Sequence, residues 1–291
     1  MPYSVWWEFR IKHRNQRVDR VGIHCASGPD MYKNASQSSE FALSSIFSEE
    51  DLREVLNSAA CTMAFQPIRE IGTGKFFGYE ALFRGVEGIV LPEPELVFKR
   101  GYLREELLLK LDMCCIGSAL SAGRHLAQQT RLFVNIHAAT LAQLALHSNA
   151  FIDLLSTLDI PPENIVFELS EQTDLRSAGD VALNIRRFTR LGAEIAIDDI
   201  GSSFSWLHHM LHIRPGYLKV DKSFITELTT SRRKQALVKS LSLMAGTMGL
   251  QLIAEGIESA EQALLLGQMG VGLAQGFFFG RPEPAHRWVA S

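Results

Sequence analysis

The chain has 291 residues, of which 29 are lysine or arginine and 32 aspartate or glutamate, so its formal charge is −3 at neutral pH. That near-balance excludes the strong positive field that long nucleic acid requires, yet leaves room for a compact phosphate ligand held by local positive charge. The length exceeds one small domain and suits a single barrel of alternating strands and helices, typically about 250 residues, with a short extension left over.

At the amino terminus, Trp6, Trp7, Arg10, Lys12, Arg14, Arg17 and Arg20 mix aromatic with basic side chains and never form the uninterrupted apolar stretch of a secretory signal. The run Asn34-Ala35-Ser36-Gln37-Ser38-Ser39 reads as a polar linker. Residues 1–44 are therefore expected to be an arm of unknown role, either extended along the body or docking a protein partner, and 45–291 the main domain. No segment reaches the roughly 20 apolar residues that span a bilayer. The cysteines Cys25, Cys61, Cys114 and Cys115 lack the paired spacing of zinc sites, and adjacent Cys114 and Cys115 are poor disulfide partners. They suit small buried positions in a reducing compartment, so a cytoplasmic location is expected.

The main domain opens with a helix signal. Ser48 is placed to cap a first turn containing Glu49, Glu50 and Asp51, ahead of Leu52, Val55 and Leu56 at helical spacing. From there short apolar runs alternate with longer stretches of helical period: 61–65, 76–79, 132–134, 165–167, 195–197, 217–220, 252–254 and 271–274. Eight runs alternating with helices predict an α/β fold, a TIM-type (β/α)8 barrel. Between the first two runs stands only the turn Gly72-Thr73-Gly74, too short for a crossover helix, so that pair is expected to be antiparallel, with one strand running against the others.

Nearly every run ends in an oxygen-bearing or cationic side chain: Gln66, Glu80, Asn135, Glu168, Asp198 with Asp199, Lys219, Glu255 and Gln275. In such a barrel the carboxyl ends of parallel strands share one rim, where the chemistry is placed. Carboxylates a few ångströms apart raise one another's pKa unless cations intervene. Mg²⁺ or Mn²⁺ prefers the carboxylate and amide oxygens that Glu80, Asn135, Glu168, Asp198, Asp199 and Glu255 offer, and two such ions would fit in-line displacement at a phosphodiester. His137, His208, His209 and His212 are read as structural, because the oxygen donors already suffice.

These residues carry a family resemblance. Gly78-Tyr79-Glu80-Ala81-Leu82-Phe83-Arg84 resembles the signature of the EAL family, and the likeness continues through Phe133-Val134-Asn135, Phe167-Glu168-Leu169-Ser170-Glu171, Ile197-Asp198-Asp199-Ile200-Gly201, Leu218-Lys219-Val220-Asp221, Ala254-Glu255-Gly256-Ile257-Glu258 and Gln275-Gly276-Phe277. The resemblance implies hydrolysis of cyclic di-GMP to the linear dinucleotide pGpG with two divalent cations, and a homodimer. It also assigns roles. Glu80, Asn135, Glu168 and Asp198 would hold one cation, and Asp198 would bridge to a second held by Asp199 and Glu255. Lys219 would orient water with support from Asp221, Gln275 would contact the site, Leu82 and Arg84 would meet the ligand, Gln66 would lie at the mouth, and Glu171 would steady the loop after Asp199. Glu258 is left open between a supporting partner and an exposed helix acid.

Two departures stand in that loop. Ser203 replaces a usual glycine, and Trp206 is bulkier than the small residue expected, which bears on backbone freedom and rate more than on metal binding. They motivate a second reading, a catalytically weak cyclic di-GMP receptor or protein-interaction regulator of the same fold.

Overall fold

The computed structural model describes residues 4–12, 18–26, 61–86, 105–170, 181–201, 207, 210 and 213–289. The helix expected from Ser48, the polar linker, Glu171, Ser203, Trp206, His208, His209 and His212 lie outside them. In the arm, β1 (Ser4–Lys12) and β2 (Val18–Ala26) pair antiparallel with Ser4 opposite Ala26, so this segment forms a two-stranded sheet.

The main domain is a closed barrel of eight strands. In chain order these are β3 (Cys61–Glu70), β4 (Phe76–Val86), β5 (Arg131–Asn135), β6 (Ile165–Ser170), β7 (Glu194–Ile200), β8 (Tyr217–Val220), β9 (Gln251–Ala254) and β10 (Leu273–Gln275). Helices α1 (Glu105–Ala127), α2 (Ala138–Leu146), α3 (Ser148–Thr157), α4 (Val181–Arg190), the single turn α5 (Lys222–Ile225), α6 (Arg232–Thr247) and α7 (Ala260–Gln268) fill the connections. No helix among the described residues is long and apolar enough to cross a membrane.

The expected reversed strand is β3, which runs antiparallel to both β4 and β10 while every other neighbouring pair is parallel. Every expected run falls on an observed strand, although β3 and β4 continue to Glu70 and Val86, past the expected ends at 65 and 79. The last begins at Leu273 rather than residue 271, because Val271 still closes the turn after α7 through its N–H to Leu266 O.

Side-chain alternation explains how the barrel places its polar groups. Successive strand residues face opposite sides, so one of every two points inward. Ile68, Phe133, Val166, Ala196, Tyr217, Ile253 and Leu273 form one buried apolar cluster inside the barrel. Two residues further on in each parallel strand stand Asn135, Glu168, Asp198, Lys219, Glu255 and Gln275, the next inward layer toward the carboxyl rim. In β3 the order inverts. Gln66 precedes Ile68 by two, as a strand running the other way requires. The outward faces, among them Leu132, Phe167, Ile197, Leu218 and Ala254, join helix residues such as Leu120, Leu141, Phe188 and Leu266 in the larger core. Gly78 carries no side chain into the inner layer because a Cβ there would lie 2.6 Å from Arg131 O and 3.1 Å from the Phe133 ring.

Cys61 and Cys115 are buried, as a structural role requires, while Cys114 is half-buried. Cys61 Sγ lies 3.1 Å from Cys114 Sγ across 53 residues of sequence, and burial pushes the Cys115 thiol up, which leaves it protonated at neutral pH.

Asp112 is the unusual member of α1. It sits between Leu111 and Met113 at 4 % exposure, and its Oδ2 accepts the His137 N–H at 2.9 Å. Burial pushes its carboxyl up to about 6, an effect only partly offset by the Thr140 hydroxyl and the His137 N–H. A folded pKa above the unfolded one contributes stability that is present below the unfolded value and lost as pH rises through about 6. Between pH 4.5 and 7.5, Asp112→Asn is therefore expected to gain stability relative to the wild type, by up to roughly 3 kcal/mol. Urea unfolding of both proteins across that range checks it, and a pH-independent difference would contradict it.

Candidate metal and phosphodiester site

Lys219 stands at the centre of the polar layer. Only 1 % of its side chain is exposed, and its Nζ lies 2.7 Å from Glu168 Oε1, 2.8 Å from Glu255 Oε1, 3.0 Å from Asp198 Oδ1 and 3.4 Å from Glu80 Oε2. Strand β8 can aim it inward because Leu218 and Val220 alternate to the outer core. Asn135 Nδ2 donates to Glu80 Oε1 at 3.3 Å and to Glu168 Oε2 at 3.1 Å. Gln275 Nε2 donates to Glu80 Oε2 and to Gln66 Oε1, the latter at 3.0 Å, and Gln66 Nε2 donates to Gly280 O at 3.1 Å. Side chains up to 209 positions apart thus share one hydrogen-bonded layer.

The paired aspartates required a break in the strand. In a regular strand Asp198 and Asp199 would point to opposite faces. The β7–β8 register shifts between Ile197 and Ile200, and Asp199 takes a φ of 57°, the left-handed region. The kink brings Asp199 back toward Asp198, which accepts the Asp199 N–H at 3.0 Å. Gly201 follows at φ 121°, and a Cβ there would overlap the Phe224 ring, so the backbone at Gly201 lies directly against the turn α5.

Two carboxylate triads result, Glu80 with Glu168 and Asp198, and Asp198 with Asp199 and Glu255, each offering oxygens within 4.8 Å of one another. Asp198 is common to both. Four carboxylates bond one ammonium, which leaves excess negative charge, and the titration of the group reflects it. Burial and the Glu80 charge hold Glu168 well above the usual carboxylate range despite Lys219. Burial, against the pull of Lys219, pushes Glu255 up to about 8, and desolvation with the Asp198 charge pushes Asp199 to about 6. Glu80 goes the other way. Burial would raise it, but Lys219, Gln275 and Asn135 together hold it below its ordinary value. Burial opposes the Lys219 charge too, yet its carboxylate partners keep it firmly protonated. Such a set fits hard divalent cations, which supply the missing positive charge and accept oxygen donors only. Asn135 would then turn its Oδ1 toward the cation in place of Nδ2.

Other expected site residues are placed differently. Asp221 caps its own turn by accepting the Ser223 N–H at 2.9 Å, and no hydrogen bond or ion pair described for it reaches Lys219. Arg84 is exposed on β4 beyond Leu82, at a register shift against β3, with Nη1 near Phe83 O at 3.4 Å. Glu258 is exposed in the segment before α7, not on the helix itself, and its N–H donates to Gln262 Oε1 at 2.8 Å. His137 caps α2, its Nδ1 accepting from the Ala139 N–H at 3.4 Å. Asp112 was missed. The available signal was a lone acid inside the apolar stretch Leu111-Asp112-Met113-Cys114-Cys115-Ile116.

Comparison with known proteins agrees with this fold. The EAL domain profile matches residues 49–282. The cyclic di-GMP phosphodiesterase RocR of Pseudomonas aeruginosa is 31 % identical over 232 residues, covering 77 % of this chain and 58 % of RocR, so the chain spans little more than half of that relative. Among solved structures, the PaMucR phosphodiesterase in complex with c-di-GMP superposes with a TM-score of 0.69 at 25 % identity, covering 82 % of this chain and 98 % of that one. Klebsiella pneumoniae BlrP1 with manganese and cyclic di-GMP gives 0.67 at 26 % identity over 78 % of this chain and 57 % of that one.

Proposed function

The chain belongs to the EAL domain family, and from that premise we propose that it is a metal-dependent phosphodiesterase that hydrolyses cyclic di-GMP to linear pGpG. The observation that carries the proposal is the pair of carboxylate triads sharing Asp198 around a buried Lys219. Glu80, Asn135, Glu168 and Asp198 would hold one Mg²⁺ or Mn²⁺, and Asp198, Asp199 and Glu255 a second. When bound, the two cations polarise the phosphodiester and lower the pKa of water.

The chain's own groups do the rest. Lys219, held protonated by its carboxylates in the metal-free site, would orient and activate the attacking water and offset negative charge growing at phosphorus. Gln275 holds the Glu80 carboxylate in one orientation through its Nε2. Arg84, exposed at the mouth, presents a planar fork suited to a ligand phosphate. Leu82, Gln66 and Asp221 would meet the same ligand, as the family resemblance implies.

Incubation of purified protein with Mn²⁺ and cyclic di-GMP, followed by chromatographic product analysis, is expected to yield pGpG, with none formed when the metal is chelated. Glu80→Ala is expected to lose both metal affinity and turnover. Binding of intact cyclic di-GMP without cleavage would replace this reading with that of a receptor.

A further inference from the structure

We propose that Asp112, on the outer helix α1, is a positioning residue for the metal-site side chain Asn135. The inference rests on the reading of Asn135 as part of the cation site. Strand β5 ends at Asn135, and the chain must turn into α2 within two residues. Two hydrogen bonds define that turn. Ile136 N–H donates to Glu168 O at 3.0 Å, continuing the pairing with β6, and His137 N–H donates to Asp112 Oδ2 at 2.9 Å. The first ties the peptide to the barrel wall and the second to the helix outside it. Between them they fix the direction in which Asn135 leaves the strand.

That direction matters because it sets the Asn135 amide between Glu80 and Glu168, 3.3 and 3.1 Å from their oxygens, where the three would share one cation. Site geometry of this kind tolerates errors of only about 0.5 Å. The partner is also an unusual choice for a mere cap. His137 already caps α2 with its own side chain, so Asp112 adds nothing to that bond and instead holds the cap residue's N–H. A carboxylate at 4 % exposure among Leu111, Met113 and Ile116 is costly to bury unless its acceptor role is needed.

The test is Mn²⁺ affinity of the full chain by calorimetry, with steady-state kinetics on cyclic di-GMP. Asp112→Ala is expected to weaken Mn²⁺ binding by roughly 10- to 100-fold and to lower kcat in proportion, with KM changed less than about threefold. Asp112→Asn keeps an acceptor oxygen and is expected to restore both. His137→Pro removes the donor instead, at a backbone φ of −78° that proline accepts, and is expected to reproduce the Asp112→Ala loss, whereas His137→Ala is not. This second pair decides the matter if Asp112→Ala does not fold. Wild-type Mn²⁺ affinity in folded Asp112→Ala or His137→Pro would overturn the inference alone, as would equal losses in Asp112→Ala and Asp112→Asn. A wild-type chain that binds no Mn²⁺ would overturn the metal-site reading and this inference with it, while one that binds Mn²⁺ without turnover would overturn only the enzymatic reading.

Discussion

Replacing Lys219 with methionine is expected to lower turnover by roughly 10²-fold or more and to destabilise the metal-free protein by about 3–5 kcal/mol. The reason is the number of its partners. Four carboxylates lie within 3.4 Å of a single Nζ, and only 1 % of the lysine side chain reaches solvent. Methionine fills much the same volume and removes the charge, so the variant isolates electrostatics from packing. Without the ammonium, Glu80, Glu168, Asp198 and Glu255 face one another, and some must take up protons or move apart.

Divalent cations should reverse that defect in part. Added Mn²⁺ supplies the charge that methionine withdrew, so the rise in melting temperature on adding metal is expected to be larger for Lys219→Met than for the wild type. Metal affinity should be equal or higher, since lysine and cation compete for the same oxygens, while the rate stays low because nothing holds the water. Unfolding in chelator and in Mn²⁺, alongside product analysis, measures all three. Equal stability of the two proteins in chelator would show that the ammonium does not hold the carboxylates together. A wild-type rate in metal-loaded Lys219→Met would remove lysine from the reaction.

A second large effect is expected at Gly276, where alanine should reduce turnover by roughly 10²-fold and weaken the fold by several kcal/mol. Gly276 follows Gln275, and a Cβ on it would overlap the backbone nitrogen and oxygen of Ile257. That contact joins the loop after β10 to the loop after β9, through Ile257 N–H to Gln275 O at 3.1 Å and Phe278 N–H to Ile257 O at 3.0 Å. Backbone cannot rotate away as a side chain can. The two loops must separate, drawing Gln275 from Glu80 and Glu255 from Lys219. Gly272→Ala is the control, because nothing lies within 4 Å of its Cβ position and its backbone is not in the left-handed region. It should leave activity and melting temperature close to wild type. If Gly276→Ala behaves the same way, the close approach of the loops has no bearing on the site.

The eight barrel strands could be read from the chain because strand alternation is local. A buried strand shows its apolar run and its terminal polar residue within five or six positions, as in Leu132-Phe133-Val134-Asn135 or Ile165-Val166-Phe167-Glu168. The short turn at Gly72-Thr73-Gly74 equally determined that one strand opposes the rest. Sequence also placed the oxygen donors on one rim, since in parallel strands position along the strand is position in the barrel.

Tertiary structure alone decided how those donors meet. That Asp199 turns back beside Asp198 depends on a left-handed residue and a register shift against β8, neither of which a run of strand residues announces. Lys219 could be recognised as inward, but its simultaneous hold on residues from β4, β6 and β7 and on Glu255 just past β9 arises only when the barrel closes. Asp112 is the clearest case, a carboxylate in an apolar helix whose partner is the backbone of a residue 25 positions away. Local pattern encodes which way a side chain points; what it touches is settled by strands and helices far apart in sequence being packed against one another.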